Sequence, residues 1–254
     1  MDKSIITKNF SKNAYTYDSY ALIQNNCAEK LLAHINGRKV SSILELGCGT
    51  GSYTKLLERR YEDAAITALD ISGSMVDVAR KKAGDKRVEF VVADGETLPV
   101  PGKFDLITSN ASFQWFSDLD RTFEALSGRI TEGGVFCFSM YGPETFCELK
   151  EVLIHHFGER RWLSSSGFPS RDRVESLLKK YFRDYDMTEE KFSVEFPSLR
   201  DFLHDIKHSG TRGEGLGDNV FLGKYMMRDM EKTYIEKFGG IIATHHAFFC
   251  KAEV

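Results

Sequence analysis

Short apolar runs rich in β-branched residues recur through the first half of the chain, separated by stretches in which apolar positions return every three or four residues. Such runs read as buried strands and the stretches between them as amphipathic helices; their alternation is the pattern of a parallel sheet covered on both faces. The predicted strands are Ser42–Leu46, Ala65–Asp70, Val88–Ala93, Phe104–Ser109 and Gly134–Met140. Ser52–Tyr61 and Ser74–Lys82 are predicted helices, the second capped by Ser72 or Ser74. Beyond Met140 the spacing predicts a helix over Pro143–Phe157, a Ser/Gly/Pro loop at Ser164–Ser170, an amphipathic helix over Asp172–Tyr181 and a strand at Lys191–Phe196. Two helical stretches around the Gly-rich break Gly210–Gly217 then precede a last strand, Ile241–Cys250, so Ser198–Gly240 reads as an insert between the final two strands.

Composition narrows the class without choosing it. A chain of 254 residues, 42% hydrophobic and 28% charged, suits one soluble α/β domain. A net charge of -3 supplies no global field for nucleic acid. Cys27, Cys48, Cys137, Cys147 and Cys250 lack the paired short spacing of a zinc site or disulfide framework, so no metal is expected and the thiols read as reduced. The first 20 residues lack an apolar leader core and no segment approaches a membrane span, which makes a cytoplasmic chain with no membrane partner the expectation.

The chemistry is concentrated where Ile43-Leu-Glu-Leu46 runs into Gly47-Cys-Gly-Thr-Gly51. Glycines there permit a sharp turn and leave no Cβ to obstruct a ligand at the helix start. Asp70, at the end of the next strand, is placed to accept both hydroxyls of an adenosine ribose. The G-x-G-x-G spacing differs from the G-x-G-x-x-G of a dinucleotide site, and Glu45 before the first glycine disfavours a pyrophosphate while complementing a cation. Together these features favour S-adenosylmethionine, whose amino and sulfonium groups are both positive. Asp94, in Val92-Ala-Asp-Gly95, either accepts from the adenine amine or caps the turn at Gly95.

The Glu45–Gly51 run, Asp70, Asp94 and Phe104-Asp-Leu-Ile107 resemble the seven-stranded, S-adenosylmethionine-dependent (class I) methyltransferases over roughly Lys39–Tyr141. Within that group Asn110-Ala-Ser-Phe-Gln-Trp115, the segment Phe10–Gln24 and Ile206–Arg212 resemble the malonyl-acyl-carrier-protein O-methyltransferases of biotin synthesis. The resemblance implies a single Rossmann-like domain over 1–254: an amino-terminal helical cover (1–36), a cofactor-binding core (39–141), and a substrate-side helical insert (198–240) before the last strand. It implies cofactor contacts from Tyr17, Gln24, Glu45, Gly47, Gly49, Gly51, Asp70, Ile71, Met75, Asp94, Gly95 and Asn110, and substrate contacts from Trp115, Lys207, His208 and Arg212. The implied partner is malonyl-acyl carrier protein, whose methyl ester would prime the pimeloyl chain of biotin.

Blander readings stand beside these. Tyr15, Tyr17 and Tyr20 suit an aromatic face packed on the core, Trp115 and Phe116 suit plain core, and His155-His156 and His245-His246 suit structure or solvent. A carboxylate acceptor is ionised near neutral pH and needs orientation rather than a base, so no catalytic acid or base is assigned. Arg212 suits a bidentate grip on the malonyl carboxylate. An acidic carrier would be steered by basic surface, with Arg160, Arg161, Arg171 and Arg173 preferred. Alternatives are another small-acid or quinone-like acceptor, or a catalytically silent adenosine-ligand module.

Overall fold

The computed structural model describes residues 2–35, 37–83, 87–159, 163–209 and 223–254. One sheet of seven strands organises them: β1 (Ser42–Leu46), β2 (Ala65–Asp70), β3 (Val88–Val92), β4 (Phe104–Asn110), β5 (Ile130–Tyr141), β6 (Asp184–Phe196) and β7 (Ile241–Glu253). Their order across the sheet is β3-β2-β1-β4-β5-β7-β6. The first five strands are parallel; β7 enters antiparallel between β5 and β6. The chain therefore leaves β1 toward one edge and later returns to β4 on its other side, making the switch point at which open α/β sheets bind ligands.

The helices are α1 (Lys3–Asn13), α2 (Leu22–His34), α3 (Ser52–Arg60), α4 (Gly73–Lys82), α5 (Leu119–Ser127), α6 (Cys147–Phe157), α7 (Arg171–Tyr181), α8 (Leu199–His208) and α9 (Lys224–Phe238). Helices α2, α3 and α4 cover one face of the sheet through Leu31, Leu57 and Val76 against Ile43, Ile66 and Leu106. On the other face Phe123 of α5 and Leu177 of α7 pack with Leu44, Ile107 and Phe136. Burial on both sides explains why β1 reads as a continuous apolar run interrupted only by Glu45.

The observed elements revise the sequence reading in several places. Helix α5 was not anticipated, although its cap is conventional: the Asp118 side chain accepts from Arg121 N at 3.0 Å. Of the two candidate caps of α4, Ser72 is the one used, its Oγ accepting from Met75 N at 3.2 Å. The helix expected from Pro143 starts only at Cys147, because Phe146 stands at a φ of 61° and donates its N–H to Thr244 O of β7 at 2.7 Å. Strand β6 extends back to Asp184 as an edge strand whose exposed acidic positions hide the alternation. Helices α8 and α9 lie between β6 and β7 and share a core with α6 through Leu153, Phe202 and Tyr234. Among the described residues no helix is long and apolar enough to cross a membrane.

Candidate active site

At the carboxyl ends of β1, β2 and β4 the backbone folds back on itself. Gly47 N and Cys48 N donate to Leu69 O at 2.8 and 2.9 Å, closing the loop onto β2. Gly47, Gly49 and Gly51 hold φ values of +75°, +55° and +81°, a left-handed region that side chains resist. The glycines do different work. A Cβ on Gly47 would stand 2.1 Å from Ser112 Oγ, whereas one on Gly49 would project into open space. At Gly51 it would meet Ala79 of α4 at 3.0 Å, and Gly51 lines neither cavity described below, so its place is helix packing.

Asp70 is locked beside this loop. Its Oδ2 accepts from Gly49 N at 2.9 Å and its Oδ1 from Ser72 N at 2.8 Å. Burial raises its pKa while those two N–H groups oppose the rise. Each oxygen retains acceptor capacity for a further donor. Glu45 lies deeper, only 1% exposed, and burial pushes its carboxyl up to about 8. Its Oε2 has no hydrogen-bond partner among the described residues.

Two cavities meet here. The larger is lined by Tyr17, Gly47, Gly49, Asp70, Ile71, Met75, Asp94, Gly95, Asn110 and Trp115, and also by Lys3, Phe10 and Ser112. The smaller adjoins it at Tyr17, Gly47, Gly49 and Asn110 and adds Gln24 and Glu45. Asn110 is fixed between them, its Nδ2 donating to Gln24 O at 3.0 Å and its Oδ1 accepting from Ser139 Oγ at 2.7 Å. At Asp94 the turn-capping geometry is present, Oδ1 accepting from Glu96 N at 3.0 Å, while Oδ2 faces Lys3 Nζ at 2.5 Å. A small wall of glycine backbone, a fixed carboxylate and a buried carboxyl with one oxygen unpartnered among the described residues together fit a cationic adenosine ligand such as S-adenosylmethionine.

The amino-terminal segment closes this region from above. Lys3 bridges Asp94 and Glu96, Ser11 Oγ meets Ser72 Oγ at 2.8 Å, and Asp18 Oδ1 accepts from Thr50 Oγ1 at 2.6 Å. Phe10 packs edge-on against Trp115 with ring centroids 5.8 Å apart.

The family described as a methyltransferase domain matches residues 44–138. The Malonyl-[acyl-carrier protein] O-methyltransferase 1 of Ilyobacter polytropus is 35% identical, over 100% of this chain and 95% of that protein. The Malonyl-[acyl-carrier protein] O-methyltransferase of Acetivibrio thermocellus is 34% identical, over 98% and 93%. The chain belongs to the malonyl-[acyl-carrier protein] O-methyltransferase family. Solved structures support the same fold. The YcgJ protein from Bacillus subtilis superposes with a TM-score of 0.62 at 18% identity, covering 89% of this chain and 97% of that one. Phosphoethanolamine N-methyltransferase 2 of Haemonchus contortus, solved with S-adenosyl-L-methionine, gives 0.60 at 17%, covering 96% and 57%.

In this member of the O-methyltransferase family the expected substrate residues are dispersed. Trp115 lines the larger cavity. Lys207 and His208 end α8 against the amino-terminal segment: Asn13 Nδ2 donates to Lys207 O at 3.0 Å and Tyr20 stacks on the His208 ring at 5.2 Å. Arg212, with Arg160 and Arg161, lies outside the described residues. Arg171 and Arg173 project from α7, where Glu189 and Asp120 pair with them at 3.2 and 3.5 Å. Further residues line the larger cavity with no role assigned from sequence, among them Lys3, and Ala111 and Ser112 within the Asn110–Trp115 run. Lys3 carried no local signal, and Ala111 adopts a φ of 51° that an alanine does not announce.

Proposed function

We propose that this chain transfers the methyl group of S-adenosylmethionine to the free carboxylate of malonyl-acyl carrier protein, giving the methyl ester that primes pimeloyl synthesis for biotin. The observation that carries the reading is the near-full-length likeness to malonyl-[acyl-carrier protein] O-methyltransferases, at 35% and 34% identity. S-adenosylmethionine supplies the methyl: a carboxylate lone pair forms the new O–C bond as the C–S bond breaks, its electron pair stays on sulfur, and no proton moves. The chain's own residues then have two tasks, holding the donor and aiming the acceptor.

For the first task Asp70 takes the ribose hydroxyls, Glu45 with Tyr17, Gln24 and Asn110 surrounds the amino acid end, and Asp94, Gly95, Ile71 and Met75 bound the base. The positions of Gly47 and Gly49 on the cavity wall support close backbone approach there. For the second task Trp115 walls the donor cavity toward the acceptor side. An assay of S-adenosylhomocysteine formation with malonyl carrier protein, malonyl-CoA and no acceptor tests this reading. The expected order is carrier protein above malonyl-CoA, with background alone in the blank. Equal background in all three arms would overturn it.

A further inference from the structure

Behind Trp115 lies a third cavity, separate from the two assigned to the donor. Trp115, Tyr141, Thr145, Phe146, Leu163, Ser164, Ser165, Phe168, Ile206 and His245 line it. Most of this wall is apolar, yet three polar atoms buried within its residues, Tyr141 Oη, Ser165 Oγ and His245 Nδ1, have no hydrogen-bond partner among the described residues. The residues carrying them are 2%, 4% and 7% exposed. Buried polar atoms are ordinarily paired, and leaving one unpaired is costly. Three around one cavity point to an occupant that supplies the missing partners.

The chemistry of the trio limits that occupant. Two hydroxyls donate and the imidazole does either, depending on tautomer. Burial lowers the His245 pKa to about 4, so the ring is neutral near pH 7. The free space is narrow, about 10 Å³, the room of a single water-sized group. A terminal carboxyl, the smallest acyl end with two acceptor oxygens, is larger than that, so it enters only as the apolar wall moves outward, by less than an aromatic ring would demand. The surrounding faces of Phe146, Leu163 and Phe168 suit the methylene of a short acyl chain, and the neutral donors leave a methyl ester without an unpaired countercharge.

Resting on the proposed malonyl carrier substrate, we infer that Tyr141, Ser165 and His245 form the subsite that holds the acceptor's terminal carboxyl beside Trp115, at the border of the donor cavity. Tyr141 and Ser165 donate to the oxygen that does not attack, leaving the other free to face the methyl group. Placement explains why no sequence motif announced the trio. Tyr141 ends β5, Ser165 sits in the short 3-10 turn Ser164–Gly167, and His245 is near the start of antiparallel β7. The reading of His245 as structure or solvent gives way here to a positioning role.

Two measurements on the full chain test the inference. The first is the steady-state response of Tyr141→Phe and Ser165→Ala to malonyl carrier protein, with the S-adenosylmethionine Kd read by calorimetry. The second is the NMR signal of the His245 ring, identified by its loss in His245→Gln, during titration with malonyl-N-acetylcysteamine. The expected result is a KM raised about tenfold in each variant, an unchanged donor Kd, and a moving His245 signal in the wild type. Wild-type KM in both variants with a stationary His245 signal would overturn the subsite. A moving signal in a protein that forms no methyl ester on malonyl carrier protein would keep the carboxyl subsite and overturn the substrate reading. Absence of both would overturn the two together.

Discussion

The donor cleft and the pocket behind Trp115 are built on opposite principles. In the cleft the carboxylate proposed to hold the ribose is already tied down: Asp70 accepts from two backbone N–H groups, at 2.9 and 2.8 Å. Behind Trp115 the polar atoms are held by apolar packing and lack partners among the described residues. The first arrangement is rigid and comes from one continuous stretch of parallel βα structure. The second draws its residues from β5, a short turn and β7, so it depends on tertiary packing. A donor shared by many methyltransferases suits a preformed cradle, whereas an acceptor is selected by whatever surrounds the cradle.

The largest effect should follow removal of the tied carboxylate. Asp70→Ala should weaken S-adenosylmethionine about a hundredfold in calorimetry, since two charge-assisted contacts are lost and Gly49 N and Ser72 N are left without their acceptor. Near-normal affinity in a folded variant would remove the ribose assignment. Trp115 tests whether the sites are separable: it touches Phe10 over the cleft and Phe168 in the pocket, at 5.8 and 5.2 Å. Trp115→Ala should therefore raise both the donor Kd and the acceptor KM about tenfold, a double loss that Tyr141→Phe should not share.

Glu45 sharpens the donor side through pH. Its folded-state value, about 8, lies above the ordinary 4.5 because of burial. Between these values the folded protein keeps a proton that the unfolded chain has released, so this group lowers stability as pH rises across that window and levels off above it. Glu45→Gln should raise the Tm of the ligand-free protein by a few degrees at pH 8 and hardly at all at pH 4. The same variant should bind S-adenosylmethionine about five- to tenfold more weakly at pH 8, with a smaller loss at pH 6 where the wild-type carboxyl is mostly protonated. A pH-independent difference would exclude Glu45 as the partner of the donor's amino group.

The smallest effect is assigned to Lys3. It is about a third exposed and pairs with Asp94 at 2.5 Å, so it competes with any donor for that carboxylate. Lys3→Ala should tighten S-adenosylmethionine by no more than about threefold, less at high salt. A tenfold weakening instead would mean that Lys3 holds the donor directly.

The legibility of the chain follows the same division. Strands β1 and β2 begin and end where their apolar runs do, and the glycine loop with Asp70 stands out because each residue answers a local backbone demand. Helix α5 is legible too, from Asp118 and the spacing of Leu119, Thr122, Phe123 and Leu126. Tyr141, Ser165 and His245 are different. Each is an unremarked residue in its own segment, and they line one cavity only once β7 stands beside β5 and the Ser164–Gly167 turn packs against both. Gly51 shows the converse: it belongs to the motif by spacing, yet its neighbour is Ala79 rather than a cavity.

Strand reversal at β7 has a consequence for the order of assembly. Because β7 runs against β5, pairing Tyr141 with Ala247, the start of the last strand reaches the same sheet edge as the ends of the earlier ones. During synthesis the glycine loop, Asp70 and Asn110 are all made before β5 is complete, but His245 emerges only with the final strand. A chain arrested before Ile241 would have every strand of the donor cradle while β5 kept an unpaired edge, a surface open to pairing with other chains. Closing that edge and completing the proposed acceptor wall thus both wait for the final strand.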